Sequence, residues 1–169
     1  MDDIEITEVS TASISDIQTI AEIAFPKTYA PILSQEQINY MMDWMYSTKS
    51  LIKQMQDEGN TFFVARTKSK TVGFVSIRPD GNDLYHIEKI YILPDFQKKH
   101  IGSHLFAKAI DYAKQCNNNK PIRIQLNVNR NNPAVSFYKR KGMHVAETVD
   151  KEIGNGFQMN DYIMEIEVK

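Results

Sequence analysis

The chain is poor in cysteine: Cys116 is the one thiol among 169 residues. An internal disulfide cannot form, and a zinc site built on cysteine pairs is excluded. Cys116 ends a helical pattern with only Lys114 and Lys120 as basic neighbours, so it reads as a structural residue rather than a nucleophile. Excess charge is missing as well. With 20 Lys and Arg against 21 Asp and Glu the net charge is -1, which disfavours a surface-wide nucleic-acid binder, since phosphate-driven binding needs a concentrated positive field. Any anion site has to be local. No stretch approaches ~18 uninterrupted apolar residues, and the start, "MDDIEITEVS", lacks the basic-then-apolar order of a secretory leader. The expectation is a cytoplasmic protein that does not engage a membrane. Repeats, low-complexity tracts and Pro/Gly/Ser linkers are absent too, so one domain over 1–169 is expected.

What the chain does have is a changing hydrophobic period. Residues 4–9, "IEITEV", alternate as a half-exposed strand does. Ile14, Ile17, Ile20, Ala21, Ala24 and Phe25 then recur at helical spacing, and Pro26 is expected to stop that helix. Ser34 and Gln37 have capping-box spacing ahead of an apolar face of Ile38, Met41, Met42 and Met45. A shorter helix around Leu51, Ile52 and Met55 runs to Gly59, the expected left-handed terminator. Next, "TFFVART", "TVGFVSI" and "DLYHIEKIYIL" read as a meander of antiparallel strands separated by "KSK" and "PDGN". In the last of these, alternation puts His86, Glu88, Ile90 and Ile92 on one face and Ile87, Lys89, Tyr91 and Leu93 on the other. A helical stripe from Gly102 to Ala113 followed by the strand "IRIQLNV" suggests a crossover between parallel strands. Asn132 and Pro133 look like the N-cap and first position of a helix carrying Ala134, Phe137 and Tyr138 and ended by Gly142. "HVAETV" and "YIMEIEV" close the chain around "GNG". The class is α/β or α+β, a mixed sheet with helices on its faces.

One corner combines strand, basic loop and helix. Gln97, Lys98, Lys99, His100, Ile101, Gly102 and Ser103 follow an apolar strand end and open a helix. Unpaired N–H groups at a helix start attract anions, Lys98 and Lys99 add positive charge, and Gly102 permits close backbone approach. A solvated loop with two surface lysines is an equal alternative on spacing alone. The Gly-Lys-Ser/Thr ending of a P-loop and the glycine triplet of a dinucleotide fingerprint are both missing.

"IYILPDFQKKHIGSHLF" resembles the acyl-CoA-binding motif of the GCN5-related N-acetyltransferases (GNAT), Gln/Arg-x-x-Gly-x-Gly/Ala after a strand carrying Leu-x-Val. "NNPAVSFYKRKGM" is similar to the second signature of that family, and the two stand in the family's order with a strand between them. The resemblance implies a mostly antiparallel sheet of about seven strands flanked by helices, with a central pyrophosphate-binding turn. It implies acetyl-CoA as co-substrate, no metal, and direct acetyl transfer to a primary amine without a covalent enzyme intermediate.

It also implies roles for residues. The backbone of Ile90, Tyr91 and Ile92 would hold the pantetheine arm, with the Ile92 N–H polarising the thioester carbonyl. The backbone at 97–103 would hold the pyrophosphate, and Asn131 would touch the CoA arm. His100 stands where the family usually has glycine, so the turn has to fit a side chain, one of those better tolerated at positive φ. Glu88 is the candidate base, an ion-pairing carboxylate being the alternative, and His86 beside it is either a relay or a polar edge residue. Tyr138 matches the family's general acid, the alternative being a core aromatic. The first two helices would wall the acceptor site, which makes Phe25, Tyr29, Tyr40 and Trp44 candidates, with Glu22, Glu36 and Asp43 to draw a cation. "AFPKTYAPILSQEQI" resembles bacterial polyamine acetyltransferases of the PaiA type, so a small cationic amine is the leading acceptor. A protein N-terminus or lysine, and a non-catalytic CoA sensor, stay as alternatives, and a homodimer is left open.

Overall fold

In the computed structural model, which describes residues 3–169, the helical periods of the first third become α1 (Ile14–Tyr29), α2 (Gln35–Tyr46) and α3 (Thr48–Gln56), after strand β1 (Glu5–Val9). The predicted apolar face of α1 is at most 5% exposed from Ile14 to Phe25 at its six core positions. The helix does not stop at Pro26 but continues to Tyr29. Proline removes the bond its own N–H would have given to the Glu22 carbonyl, and Glu22 lies on the exposed face, where water can replace it. Beyond that gap the ladder resumes, Ala30 N–H donating to the Pro26 carbonyl at 2.8 Å. At α2 the Ser34 hydroxyl accepts the Gln37 N–H at 3.1 Å, as the capping spacing predicts. The Gln37 side chain, instead of reaching back, donates to the Gln158 carbonyl at 2.7 Å and ties α2 to the far end of the chain. In α3 the buried positions are Leu51 and Gln54, while Ile52 is turned out at 37% exposure.

The middle of the chain forms the meander β2 (Thr61–Arg66), β3 (Thr71–Gly81) and β4 (Leu84–Ile92). Helix α4 (Ile101–Cys116) crosses over to β5 (Ile122–Asn129), which lies parallel to β4. Helix α5 (Ala134–Arg140) starts one residue later than the spacing suggests, although Asn132 Oδ1 still accepts the Ala134 N–H at 2.9 Å and so caps it. The hairpin β6 (His144–Gly154) and β7 (Phe157–Val168) turns through Asn155 and Gly156, both at positive φ, the conformation that a two-residue hairpin turn requires. The sheet order is β1-β2-β3-β4-β5-β7-β6. Among the described residues β4 with β5 is the one parallel pair, so the sheet is mixed and mostly antiparallel.

Helices α1 to α3 cover one face, where Phe25 meets Tyr91 at 5.9 Å between ring centres and Tyr46 meets Phe74 at 6.2 Å. Helix α4 covers the other, with Tyr112 against Phe63 at 5.3 Å. Strict alternation fails within β4. Ser76 pairs with Lys89 and Ile77 with Ile87, which leaves Glu88 as the extra residue of a β-bulge. Ile87 therefore joins the row of Thr61 and Ile77 on the α4 side, where the Thr61 and Tyr112 hydroxyls lie 3.0 Å apart, and not the row of Lys89.

Candidate active site

The bulge marks the place where β4 and β5 part. They pair from Leu84 with Arg123 to Ile87 with Leu126 and no further. Beyond that point the strand edge of β4 facing β5 has no ladder to join. Which residues own that edge follows from one bond: Leu93 N–H donates to the Val72 carbonyl on β3 at 2.8 Å. Backbone groups of successive residues in a strand point to opposite edges. Leu93 and Tyr91 are therefore committed to β3, and the N–H and C=O of Ile90 and Ile92 face the gap. Of the three residues expected to offer their backbone, Tyr91 does not: its peptide belongs to the β3 ladder. Its ring instead joins the aromatic cluster of Phe25 and Phe74.

The basic loop lies at the mouth of this gap. Gln97 Nε2 reaches the Ile92 carbonyl at 3.5 Å. Lys98 and His100 both take left-handed backbone, at φ 65° and 62°, so His100 adopts the conformation glycine would have, at a cost of about 1 kcal/mol. Lys98 and Lys99 are exposed, Lys99 Nζ resting 5.2 Å from the centre of the Phe96 ring. No side chain caps α4. Its first bonded N–H is that of His104, to the His100 carbonyl at 3.1 Å, so the N–H groups of Ile101, Gly102 and Ser103 are free and carry the positive end of the helix dipole. Gly102 has a packing reason. A Cβ there would come within 3.0 Å of Ile92 Cδ1 and 3.6 Å of the Phe137 ring, so glycine lets the start of α4 settle against β4 and α5. A free strand edge and an uncapped helix start thus form one continuous line, which suits an acyl-pantetheine arm ending in a pyrophosphate.

Tyr138 sits in this region at 5% exposure, its ring 6.3 Å from Phe106 and 5.4 Å from Phe137. Burial, then the neighbouring Tyr29, pushes its phenol well above the ordinary range, so it stays a neutral donor. Tyr29, brought here by the extra turn of α1, accepts a hydrogen bond from Asn132 Nδ2 at 3.2 Å. Asn131 is exposed in the same turn, its N–H donating to Asn129 Oδ1 at 2.9 Å.

Glu88 lies in a charge cluster. Arg78 donates to it through Nε and to Asp80 through Nη1 at 2.8 Å, and His86 Nδ1 is 3.9 Å from Asp80. Burial alone would raise the Glu88 carboxyl, but the hydrogen bond from Arg78, with His86 and Lys89 nearby, holds it below its usual range. His86 is lowered, chiefly by burial and despite the attraction of Glu88. Lys89, next in the bulge, is 7% exposed and donates to Gln54 Oε1 at 2.7 Å; burial brings its pKa down to about 8. The ion-pairing reading of Glu88 is therefore realised in the structure, and any role as base has to work from within that pair.

The acceptor candidates separate. Tyr29 lines a small pocket beside the gap. Phe25 is sealed in the core behind it at 1% exposure, and Trp44 is 45% exposed away from that pocket. Tyr40 donates to the Ile153 carbonyl at 2.8 Å and holds α2 against the β6–β7 hairpin. Glu22, Glu36 and Asp43 are exposed. Of the residues lining this pocket only Tyr29 was anticipated; Asn129 and Asp161 are among those that were not. Their sequence signal was slight: a polar pair, Asn160 and Asp161, in a strand that is otherwise largely apolar from Tyr162 to Met164.

A strand pair that splays beside an uncapped, basic helix start, with a buried tyrosine at the gap, defines an acyl-CoA-dependent transferase. The chain belongs to the GNAT family: the model of the acetyltransferase (GNAT) domain matches residues 29–166. It is 28% identical over 149 residues to the spermidine N(1)-acetyltransferase of Thermoplasma acidophilum, covering 83% of this chain and 90% of that relative. A Methanocaldococcus jannaschii N-acetyltransferase of uncharacterised role is 36% identical over 103 residues, which are 56% of this chain and 44% of that relative. Among solved structures, the PaiA N-acetyltransferase of T. acidophilum in complex with coenzyme A superposes with a TM-score of 0.80 at 26% identity, covering 98% and 99% of the two chains. The protein is an N-acetyltransferase with acetyl-CoA as co-substrate. Among the described residues no helix is long and apolar enough to cross a membrane, and no group of His, Cys, Asp or Glu is placed to hold a metal.

Proposed function

We propose that the enzyme transfers the acetyl group of acetyl-CoA directly to a primary amine of a small cationic acceptor, a polyamine or a close analogue. The observation that carries this reading is the closure of the acceptor side. Helix α2 is fastened to the β6–β7 hairpin by the Gln37 to Gln158 and Tyr40 to Ile153 hydrogen bonds and by the Tyr40 and Phe157 rings 5.4 Å apart. An extended peptide needs an open groove there; a slim amine does not. The similarity to a spermidine acetyltransferase over most of the chain agrees with this.

Each residue then has a task. The free N–H of Ile92 stabilises charge developing on the thioester oxygen, and the Ile90 backbone aligns the arm. The N–H groups of Ile101, Gly102 and Ser103, with the backbone at Gln97, Lys98, Lys99 and His100, hold the pyrophosphate. Asn131 borders the same arm. An ammonium near its usual pKa of about 10 has to lose a proton before it can attack. Glu88, ionised across the working range, receives that proton by way of water, with His86 next in line. Tyr138, held neutral, donates to the departing thiolate.

The test is release of CoA thiol across spermidine, spermine, diamines, aminoglycosides, and peptides with a free N-terminus or lysine. Turnover with the polyamines well above that with peptides is expected. Turnover confined to peptides would replace this reading by protein acetylation, and background rates throughout would favour a CoA sensor.

A further inference from the structure

Asp161 lies on β7, between β5 and the edge strand β6, at 2% exposure, yet among the described residues no cation forms an ion pair with it. Its carboxylate receives one side-chain hydrogen bond, from Asn127 Nδ2 to Oδ2, and that is long at 3.4 Å. Arg130 is close but does not bond the carboxylate: Nη2 donates to Asp150 at 2.7 Å, and Nη1 donates to the Val149 carbonyl at 3.2 Å and reaches the backbone carbonyl of Asp161 at 3.5 Å. Burial raises the carboxyl, with the Asn127 hydrogen bond and the more distant charges of Arg130 and Lys151 only partly opposing. A buried carboxylate kept without a cation is costly in a fold that could have used an apolar residue.

The carboxylate borders the pocket that Tyr29, Leu33, Met41, Asn129 and Met159 enclose with it. The cavity is small, about 10 Å³, room for one water-sized group. An ammonium has that size, and aromatic and thioether walls suit a cation with a methylene tail. Gln37, also at this pocket, already donates through its side chain to the backbone carbonyl of Gln158, and both residues are uncharged.

Position decides which nitrogen fits. Asn129 pairs with Asp161, and continuing the β4–β5 register from Ile87 with Leu126 brings Asn129 roughly level with Ile90. Asp161 therefore sits beside the reacting end of the gap but two strand spacings from the β4 edge, about 10 Å or more. A nitrogen attacking a carbonyl held at Ile92 cannot also rest on Asp161. We infer that Asp161 binds a second ammonium of the acceptor, one alkyl segment away from the amine that is acetylated, and so selects di- and polyamines over monoamines. This rests on the amine-acetylation reading and narrows its substrate class.

The experiment compares 1,4-diaminobutane with butylamine, on the wild type and on Asp161→Asn, an isostere that keeps a partner for Asn127. Calorimetric titration of the CoA-bound protein gives affinity, and thiol release gives kcat/KM. The wild type should favour the diamine by about tenfold or more in both, the factor one charge-assisted hydrogen bond carries. Asp161→Asn should lose that preference while its kcat for butylamine and its stabilisation by CoA stay as in the wild type. A wild type that takes both amines equally overturns the role of Asp161 and leaves amine acetylation standing, whether or not the variant folds. A variant that keeps the preference and a normal response to CoA overturns it too. A wild type that binds CoA but acetylates neither amine overturns the role of Asp161, and if spermidine and spermine fail as well, amine acetylation falls with it.

Discussion

Tyr138 and Glu88 stand at opposite electrostatic extremes of the same gap. Burial holds the phenol neutral, and Arg78 holds the carboxylate charged. That contrast suits a proton donor for a leaving thiolate and a resting acceptor for an amine proton, and it makes Tyr138 the residue whose loss should be felt in turnover. Tyr138→Phe is expected to lower kcat by about 100-fold, the lower end of general acid catalysis, while CoA affinity changes little because the ring still packs on Phe106 and Phe137. Steady-state rates with a calorimetric CoA titration check this, and unchanged kcat would remove Tyr138 from the mechanism. At this scale the sequence showed what local chemistry dictates. Tyr138, Ile90 and Ile92 could be named as candidates through two motifs in the right order, and His100 as a residue that tolerates a left-handed turn, which it takes. Tyr91 and Asp161 were not, since which edge a peptide faces and which carboxylate is buried depend on strands brought together from far apart in the chain.

Among the elements, α4 has its position set by one residue. Gly102 leaves the distance at which Ile92 and Phe137 can touch the helix, and with it the distance between the free N–H groups and the strand edge. Gly102→Ala gains helix propensity of about 1 kcal/mol but overpacks at a cost of about 1–3 kcal/mol. The expected outcome is a net loss of about 1 kcal/mol in urea unfolding, together with weaker CoA binding as the helix start moves away. A variant at least as stable as the wild type with full CoA affinity would show that the close approach is not required. Helix and strand identity was readable from period alone in nearly every element. What escaped were interruptions whose outcome is decided from outside the element. Pro26 did not end α1 because the carbonyl it leaves without a partner belongs to Glu22, on the exposed face, and the bulge at Glu88 broke an alternation that the residues themselves continue through Leu93.

At the scale of the whole fold, the parallel pair β4 and β5 opens the gap, because strands of like direction joined by a helix can diverge at their ends without opening any hairpin. The crossover was foreseeable from the switch of period between Gly102 and Val128. The insertion of β7 between β5 and β6 was not, because no local pattern says which edge a closing hairpin takes. That insertion carries Asp161 to the acceptor side and lets α2 close over the hairpin. In the proposed mechanism both substrates meet in this one cleft and the acetyl group passes between them directly. Initial rates measured over a grid of acetyl-CoA and spermidine concentrations test it. Saturation in both and reciprocal plots that intersect are expected, the pattern of a ternary complex. Parallel plots would mean a covalent acetyl-enzyme, and a rate indifferent to spermidine would mean that the amine is not the acceptor; either result contradicts it.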